Sequence, residues 1–355
     1  MISDPRVTAG DPHACLAALV SGTDLTRAAS EALFSRIMDG DVPPALIAGL
    51  LVAFRAKGET EHEIAGAARV MRARATRVRT TREPLIDTCG TGGDFSGSFN
   101  VSTAAALVVA AAGIAVAKHG NRAASSRCGS ADVLEALGIP VDLDPAQVGR
   151  SIDELGIGFL FAPLYHPAMR HAAEARRELG IRTVFNLVGP LTNPAGARRQ
   201  LIGVPSTEAV PRIAGVLREL GAEAAIVVHG EEGLDEISVS GPTRIAVLLN
   251  GSVEERTIEP HDLGLSIFGL QDIFGGDPEL NARILREVAE GRGSEAHRAV
   301  VAANAGSAIW IAGGAPSIRA GVERAWELLA AGAAAKLLDD LIAFTRRMTA
   351  SSAAT

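Results

Sequence analysis

The sequence has few lysines, cysteines and aromatic residues, and it has no excess of positive charge. Its 355 residues include three lysines and three cysteines, and aromatic residues make up 4%. Cys15, Cys89 and Cys128 form no C-x-x-C pair, which argues against a disulfide framework or a structural zinc site and predicts a reducing, cytoplasmic location. The formal charge of −7 argues against a dedicated binder of nucleic acid or of anionic membranes.

Long apolar runs are also scarce. Residues 100–117 include no charged residue, but they contain Ser102 and Thr103 and are rich in small residues rather than leucine. Such a stretch predicts a helix of about ten residues followed by a short strand, not a transmembrane helix. Charged residues near the N-terminus likewise argue against a secretory signal peptide.

The apolar residues that are present, 47% of the chain, follow two patterns. Residues 14–80 show helical spacing, with a capping-box sequence at Thr60 and Glu63. From residue 81, short apolar runs alternate with helical stretches, which predicts an α/β fold with a mostly parallel sheet. The helical segment 166–195 has no strand partners and is expected to return to the N-terminal helices. We therefore expect a small helical domain (1–80 with 166–195), a larger α/β domain (81–165 and 196–345) and a disordered tail (346–355).

A glycine-rich loop, Gly-Thr-Gly-Gly-Asp at residues 90–94, lies between a predicted strand and a helix that begins near Ser102. Glycines let backbone N–H groups approach an anion, and the helix N-terminus adds a favourable dipole. Asn100, Ser102 and Thr103 supply further donors. The spacing matches neither the dinucleotide-binding fingerprint nor the P-loop. The loop therefore indicates either a phosphate site or a tight turn with ordinary N-capping.

A second polar loop, Lys-His-Gly-Asn-Arg-Ala-Ala-Ser-Ser at residues 118–126, also follows a short predicted strand. It combines two cations, an imidazole, an amide and two hydroxyls around one glycine. These groups suit a phosphate-binding pocket. The alternative is a solvated charged loop.

Adjacent carboxylates occur at Asp235 and Glu236. Such a pair can hold Mg²⁺ ions directly or through water while it shares a phosphorylated ligand. An isolated Asp-Glu pair is usually a surface feature. Here the pair indicates a metal site only in combination with the two loops described above.

An aromatic ring, an imidazole and a guanidinium occur near the expected domain junction, at Tyr165, His166 and Arg176. These groups suit an aromatic carboxylate, and the alternative is a structural Tyr-His corner with a solvated arginine. Residues 186–194 are rich in turn formers and indicate a rigid, hinge-like linker with no implied chemistry.

Six strings occur in the order D-T-C-G-T-G-G-D, F-N-V-S-T, K-H-G-N-R-A-A-S-S, G-S-A-D-V-L-E-A-L-G, F-N-L-V-G-P-L-T-N-P and G-L-D-E. Together they resemble the anthranilate phosphoribosyltransferase family over roughly residues 20–345. The resemblance implies a homodimer of nucleoside phosphorylase-like (class III phosphoribosyltransferase) architecture, with no nucleic-acid or membrane partner. It implies transfer of the 5-phosphoribosyl group from 5-phosphoribosyl 1-diphosphate (PRPP) to the amine of anthranilate, the second step of tryptophan biosynthesis.

The resemblance also assigns site residues. It places PRPP against the two loops and the helix start between them, at Gly90, Gly93, Asp94, Ser98, Asn100, Val101, Ser102, Thr103, Lys118, His119, Gly120, Asn121, Arg122, Ala123, Ala124, Ser125, Ser126 and Ser130. It places anthranilate at Gly90, Asn121 and Arg176, with His119, Tyr165 and His166 nearby. It places Mg²⁺, two ions per subunit, at Ser102, Asp235 and Glu236. Catalytic roles fall to Lys118, Asp94 and Arg176. Two residues depart from the family pattern: Phe95, where a small residue is usual, and Ser98, where threonine is usual.

The implied chemistry needs charge stabilisation more than proton transfer. Diphosphate leaves the ribose C1 only if its growing negative charge is stabilised, which Mg²⁺ and Lys118 can do. The aryl amine is already neutral and needs only to be held in line for attack. Two alternatives remain: a pyrimidine nucleoside phosphorylase-like enzyme, and a non-catalytic relative that binds nucleic acid.

Overall fold

The computed structural model describes residues 4–92, 96–123 and 127–352, and among these residues it shows one seven-stranded sheet. The strands are β1 (Leu85–Gly90), β2 (Ala115–Gly120), β3 (Ile157–Phe161), β4 (Arg199–Gly203), β5 (Ala224–Gly230), β6 (Thr243–Leu249) and β7 (Ser252–Ile258). Their order is β3-β2-β1-β4-β5-β6-β7. Neighbours from β3 to β5 run parallel, whereas β5, β6 and β7 are antiparallel. The prediction of a mostly parallel sheet is confirmed.

The α-helices of the described ranges cover both faces of this sheet. They are α1 (Pro5–Thr8), α2 (Pro12–Val20), α3 (Arg27–Asp39), α4 (Pro44–Lys57), α5 (Glu61–Arg74), α6 (Val101–Ala111), α7 (Ser130–Ala136), α8 (Pro145–Leu155), α9 (Ala162–Tyr165), α10 (Arg170–Leu179), α11 (Val184–Val188), α12 (Ala209–Glu219), α13 (Pro278–Ala289), α14 (Glu295–Ile311), α15 (Ile318–Ala330) and α16 (Ala333–Ser352). Because side chains alternate between the faces of a sheet, two large apolar clusters form. One joins the sheet to α6, α7 and α13–α16, and the other joins it to α12, α2–α5, α10 and α11.

The N-terminal helices begin and end at the signals in the sequence. Thr60 Oγ1 accepts the Glu63 N–H and the Glu63 carboxylate accepts the Thr60 N–H, which completes the capping box of α5. Gly40 follows α3 with φ 83°, a left-handed conformation that glycine adopts without strain. The later helix α10 packs against α3 and α4, and α11 packs against α4 and α5. The segment after residue 166 therefore contacts the N-terminal helices.

The expectation of a disordered tail is wrong for residues 346–352, which form the last turns of α16. The helix continues because its apolar residues recur every three or four positions, and Leu338, Leu341 and Phe344 are buried. Met348 extends this stripe and packs on the apolar cluster that includes Val148 and Ile152 of α8. Residues 353–355 lie outside the described ranges.

The uncharged stretch 100–117 forms α6 and the first part of β2. Within the described ranges, no helix is both long and apolar enough to cross a bilayer. The sequence reasoning does not anticipate β4, β6 or β7. The last two form a hairpin around Asn250 (φ 52°) and Gly251 (φ 78°), a residue pair that favours a two-residue turn with both φ angles positive.

Candidate active site

The carboxyl ends of the parallel strands lie along one edge of the sheet. There β1 and β2 lead into the loops that follow Gly90 and Gly120. The strand order changes direction at β1, because β2 and β3 lie on one side of it and β4 and β5 on the other. In open α/β sheets, ligands bind in the crevice outside such a switch point. The two polar loops therefore border the position where the fold itself predicts a ligand site.

Asp235 and Glu236 face two different segments of this crevice. Asp235 Oδ2 accepts a hydrogen bond from the Gly92 N–H at 3.0 Å, in the loop after β1. Glu236 Oε1 accepts one from the Ser102 N–H at 3.1 Å, in the first turn of α6, where the helix dipole favours an anion. The adjacent carboxylates thus tie one short segment to both the glycine-rich loop and the start of α6.

The strands beside this segment end in glycine because Asp235 crosses them. A Cβ atom at Gly203, the last residue of β4, would lie 1.5 Å from the Asp235 carbonyl oxygen. A Cβ atom at Gly90, the last residue of β1, would lie 2.6 Å from Asp235 Oδ2. Non-bonded atoms do not approach so closely, so a side chain at either position would displace the segment that carries both carboxylates.

Lys118 connects β2 to β1 and to the start of α6. The residue is 3% exposed, and its Nζ donates to the Thr88 carbonyl at 2.6 Å and to Ser102 Oγ at 3.4 Å. Ser102 therefore contacts Lys118 through its hydroxyl and Glu236 through its N–H. A buried ammonium beside a helix N-terminus provides two sources of positive potential, which together stabilise a bound phosphate or diphosphate.

The loop after β2 closes on the start of α7. Ser130 Oγ and the Asn121 backbone are hydrogen-bonded at 3.2 Å. Asp132 Oδ2 accepts the N–H groups of Ala123 and Gly129 at 2.9 and 2.8 Å. The backbone of this loop is therefore held in place on both sides of residues 124–126, by contacts that do not depend on a ligand.

Arg122 does not present a free cation to the crevice. Its guanidinium donates to Glu135 at 2.8 Å and pairs with Asp132 at 3.3 Å, and it lies 5.4 Å from the centroid of the Phe161 ring. The carboxylates of Asp132 and Glu135 therefore neutralise the positive charge of Arg122, which the expected contact with phosphate requires.

The other residues expected to bind PRPP have different surroundings. Asn100 Nδ2 donates to the Cys128 carbonyl at 3.2 Å, and its Oδ1 accepts from Asn281 Nδ2 at 2.9 Å. Ser98 pairs with Phe274 in an isolated bridge. Two are buried: Val101 in the core and Thr103, whose Oγ1 has no hydrogen-bond partner among the described residues. Outside the described residues lie Gly93, Asp94, Phe95, Ala124, Ser125 and Ser126.

His119 and His166 lie side by side, with ring centroids 5.2 Å apart. Burial lowers the pKa of His119 to about 3, and the neighbouring His166 and Lys118 contribute to this decrease. Burial likewise lowers the pKa of His166 to about 4. Both imidazoles are therefore neutral at pH 7. His119 Nε2 is a buried atom with no hydrogen-bond partner in the described part of the chain.

The structure does not bring Tyr165 to this site, contrary to the expectation for an anthranilate contact. Tyr165 is 1% exposed, and its ring packs in an apolar cluster with Val78 and Leu160. Its hydroxyl donates to the Leu143 carbonyl at 2.9 Å. The single tyrosine of the chain is thus a buried structural residue with its polar atom already satisfied.

Arg176 is a half-buried cation without an ion pair in the ranges that the structure describes. It lies on α10, and its guanidinium carbon is 5.4 Å from the centroid of the Phe185 ring. Burial lowers the pKa of its guanidinium, which nevertheless stays charged at neutral pH. A partly desolvated guanidinium beside an aromatic face suits a planar carboxylate.

Two family models match the chain: the glycosyl transferase family a/b domain over residues 82–335, and the glycosyl transferase family helical bundle domain over residues 13–75. An anthranilate phosphoribosyltransferase from Rubrobacter xylanophilus is 54% identical over 328 residues, which cover 92% of this chain and 96% of that protein. The chain belongs to the anthranilate phosphoribosyltransferase family. The predicted fold and enzyme class are therefore confirmed: it is a glycosyltransferase with a helical bundle domain and a larger α/β domain.

Solved structures of this family have the same fold. The crystal structure of the anthranilate phosphoribosyltransferase from Thermus thermophilus is 47% identical and superposes with a TM-score of 0.89, covering 94% of this chain and 99% of that one. The Saccharomyces cerevisiae anthranilate phosphoribosyltransferase in complex with PRPP and Mg is 28% identical, with a TM-score of 0.83 and coverage of 96% and 99%.

The oxygen atoms at the crevice fit the Mg²⁺ that the anthranilate phosphoribosyltransferase resemblance implies. Ser102 Oγ and the carboxylates of Asp235 and Glu236 are hard oxygen donors, which Mg²⁺ prefers. Across the described residues, no cluster of three or more His, Cys, Asp or Glu side chains could hold a metal ion by itself.

Two side chains that the sequence reasoning does not single out also contact the elements at this edge of the sheet. Asp87 is buried in β1, and its carboxylate accepts from the His119 N–H at 3.1 Å and from Asn193 Nδ2 at 2.8 Å. Arg182 donates to the Gly92 carbonyl and so joins the segment between α10 and α11 to the glycine-rich loop. An acidic residue inside an apolar strand is the available signal for Asp87. No motif marks Arg182.

Proposed function

We propose that this chain transfers the 5-phosphoribosyl group from PRPP to the amine of anthranilate, giving N-(5-phosphoribosyl)anthranilate and diphosphate. The observation that carries the proposal is the contact network at the switch point, where Lys118 and Glu236 both contact Ser102 and Asp235 contacts Gly92. This network places two carboxylates and a buried ammonium between two loops suited to phosphate. The names of the relatives favour this acceptor over the two alternatives, a pyrimidine nucleoside phosphorylase-like reaction and nucleic-acid binding.

On the donor side, the described groups suit the binding of a diphosphate and its stabilisation as it leaves. The N–H groups in the first turn of α6 and the Lys118 ammonium supply positive potential where negative charge grows. Lys118 is already held by Thr88 and Ser102, so little reorganisation is needed when the C1–oxygen bond breaks. The ribose then becomes oxocarbenium-like, and the incoming amine must lie in line with the departing oxygen.

Magnesium is proposed at Ser102, Asp235 and Glu236, with two ions per subunit. The support for two positions is that the two carboxylates reach different segments, the loop after β1 and the start of α6. When bound, Mg²⁺ supplies charge neutralisation on the diphosphate oxygens. The yeast relative solved in complex with PRPP and Mg supports this proposal.

On the acceptor side, Arg176 is proposed to pair with the anthranilate carboxylate, while His119 and His166 border the ring. Neither imidazole is an effective base at neutral pH, because burial holds their pKa values at about 3 and 4. A neutral aryl amine needs no strong base before attack. Positioning and electrostatics therefore account for catalysis better than proton abstraction does.

A homodimer is proposed on the same resemblance. Val20 and Val52 are exposed apolar residues on α2 and α4, two helices that pack together, and exposed apolar residues of this kind suit a protein interface. The domain boundaries given above remain predictions, as does the cytoplasmic location, which the three free and buried cysteines support.

The test uses the fluorescence of anthranilate itself. Purified protein is mixed with anthranilate, PRPP and Mg²⁺, and each component is omitted in turn. We expect fluorescence to fall only when all three are present. Lys118→Ala should raise the KM for PRPP by about tenfold or more, since a hydrogen bond to a charged group is lost. Lys336→Ala is the matched control, because its side chain is 79% exposed and pairs only with Asp340 in the described part of the chain.

An unchanged signal with folded protein would contradict anthranilate as the acceptor. Equal KM values for PRPP in the Lys118→Ala and Lys336→Ala variants would contradict the role proposed for Lys118. The proposed reaction would still stand.

A further inference from the structure

Strands β1 and β2 separate before they reach the active-site edge. Their backbone pairing comprises Leu85 with Ala115 and Ile86 with Val116. Beyond Ile86, β1 continues to pair with β4 on its other side as far as Gly90, and β2 continues to pair with β3 as far as Gly120. Among the described residues, the last residues of both strands thus have no backbone partner on the sides that face each other.

Side chains replace the missing backbone bonds. Asp87 Oδ1 accepts the His119 N–H at 3.1 Å, and Asn193 Nδ2 donates to the Ala117 carbonyl at 2.7 Å. Asn193 Nδ2 also donates to Asp87 Oδ2 at 2.8 Å, which joins the two contacts into one unit. Lys118 Nζ spans the same gap in the opposite direction, to the Thr88 carbonyl at 2.6 Å. The paired side chains of Asp87 and Asn193 are called the wedge below.

The wedge also connects both halves of the site. Asp87 lies three residues before Gly90, and its partner His119 follows Lys118 at the end of β2. Asn193 comes from the segment that leaves α11 for β4, where Thr192 Oγ1 lies 3.4 Å from His166 Nε2. A shift of the wedge would therefore move a donor-side residue, Lys118, and an acceptor-side residue, His166, together.

The wedge lowers the stability of the folded protein, which a purely structural feature has no reason to do. Asp87 is completely buried, and burial raises the pKa of its carboxyl to about 6, against the opposing effect of Lys118 and of the hydrogen bonds from Asn193 and His119. A buried carboxylate that is charged at neutral pH lowers stability relative to an apolar strand residue. Continued backbone pairing would satisfy the same strand atoms without a buried charge.

We propose that Asp87 and Asn193 are positioning residues that hold β1 and β2 apart and fix the Lys118–His119 strand end relative to the segment after α11. They touch no reacting atom. Their effect on catalysis passes through the position of Lys118, of His119 and of the acceptor-side residues. This inference rests on the proposed function for its kinetic part only, because the geometry can be tested without substrates.

The kinetic test compares Asp87→Asn, Asn193→Ala and the double variant. In Asp87→Asn, the new side-chain NH₂ group would face either the His119 N–H or the Asn193 Nδ2 group. Two donors would then oppose each other, and one of the hydrogen bonds of the wedge would be lost. We expect each single variant to lower kcat about 10- to 100-fold, the scale of small misplacements of reacting groups. Because the two residues act as one unit, the double variant should lose no more than the less active single variant, within about twofold. Ser151→Ala is the matched control: Ser151 is buried and bonded to the Ile157 carbonyl at 2.7 Å, so its loss should lower stability with kcat unchanged.

The structural test follows hydrogen exchange in the ligand-free protein. Asp87→Asn should speed exchange both in peptides covering residues 117–121 and in peptides covering 189–195, and Ser151→Ala in neither. Three results would each overturn the proposal: a kcat within twofold of wild type, losses that multiply in the double variant, or faster exchange confined to one of the two segments. If Asp87→Asn fails to fold, Asn193→Ala answers the same questions. If wild-type protein shows no transfer, the proposed function fails, and the exchange data still decide on the wedge.

Discussion

The acceptor side proposed above comprises the cation Arg176 and two imidazoles, His119 and His166, that are neutral at pH 7. Arg176 has an aromatic neighbour, Phe185, and no ion pair among the residues described. His119 and His166 stay unprotonated because burial disfavours their charged forms. Under this proposal, the Arg176 guanidinium is the charged partner of the anthranilate carboxylate, and the neutral imidazoles are hydrogen-bonding neighbours of the ligand.

Replacement of Arg176 by alanine should weaken anthranilate binding specifically. We expect the KM for anthranilate to rise about tenfold or more, because a charge-assisted hydrogen bond is lost, while the KM for PRPP changes less than about twofold. Steady-state kinetics with each substrate varied in turn measures both values. Arg177→Ala is the control, since Arg177 is the next residue on α10 and is exposed. A defect in PRPP use alone would contradict the assignment.

The buried histidines should make the protein less stable in acid. The unfolded chain takes up protons near pH 6.5, whereas folded His119 and His166 take them up only near pH 3 and 4. The free energy of unfolding therefore falls as the pH drops from about 6.5 to about 4. Asp87 acts in the opposite direction between pH 6 and 3.8, since its folded pKa is raised to about 6; two histidines outweigh one aspartate.

This dependence is measured by urea unfolding at several pH values from 7.5 to 5. We expect His119→Asn to flatten the decline, because one of the two groups responsible is removed. His13→Asn should leave the slope unchanged, since His13 is exposed at the surface of α2. Equal slopes for wild type and His119→Asn would show that His119 is protonated alike in the folded and unfolded states.

At the scale of elements, the site depends on how closely the segment at 235–236 crosses the strand ends. Gly203→Ala should displace this segment, because the added Cβ atom would lie 1.5 Å from the Asp235 carbonyl oxygen. We expect kcat to fall about 100-fold, the effect of misplaced catalytic groups, and half-maximal activity to need more Mg²⁺. Titration of activity with Mg²⁺ measures both. Gly241→Ala is the control, since its Cβ atom would meet nothing within 4 Å; equal behaviour of the two variants would remove the steric argument.

Elements with local signals could be predicted from the sequence, and those fixed by distant contacts could not. The capping box predicts the start of α5 at Glu61, because its two hydrogen bonds lie within four residues. The β6–β7 hairpin carries an Asn250-Gly251 turn signal, but the exposed charged run Glu254-Glu255-Arg256 in β7 masks the alternation that is typical of a strand. The buried environment of Tyr165 has no local signal, because its partner, the Leu143 carbonyl, is 22 residues away. Asp87 and Asn193 are 106 residues apart, and no spacing rule links them.

At the scale of the whole molecule, the helical part and the sheet share one apolar cluster. This cluster joins α2–α5, α10 and α11 to α12 and to sheet residues such as Ile202 and Val227. Arg72 of α5 adds a hydrogen bond across the boundary, from Nη1 to the Leu220 carbonyl at 3.4 Å. The helical part therefore cannot unfold without exposing one face of the sheet, so we expect a single cooperative transition.

The two tryptophans offer a test of this coupling. Trp310 and Trp326 both pack against the cluster on the opposite face of the sheet, so their fluorescence reports on the α/β part. Ile37 lies in α3 with 0% exposure, and Ile37→Ala should cost about 2–5 kcal/mol through the lost contacts and the cavity. If the molecule unfolds as one unit, this change in the helical part lowers the tryptophan midpoint as much as the far-ultraviolet circular dichroism midpoint. Ile267→Ala, at a position 67% exposed, should move neither. A tryptophan midpoint that stays in place while the circular dichroism transition splits would show instead that the helices unfold on their own and that the shared cluster does not couple the two parts.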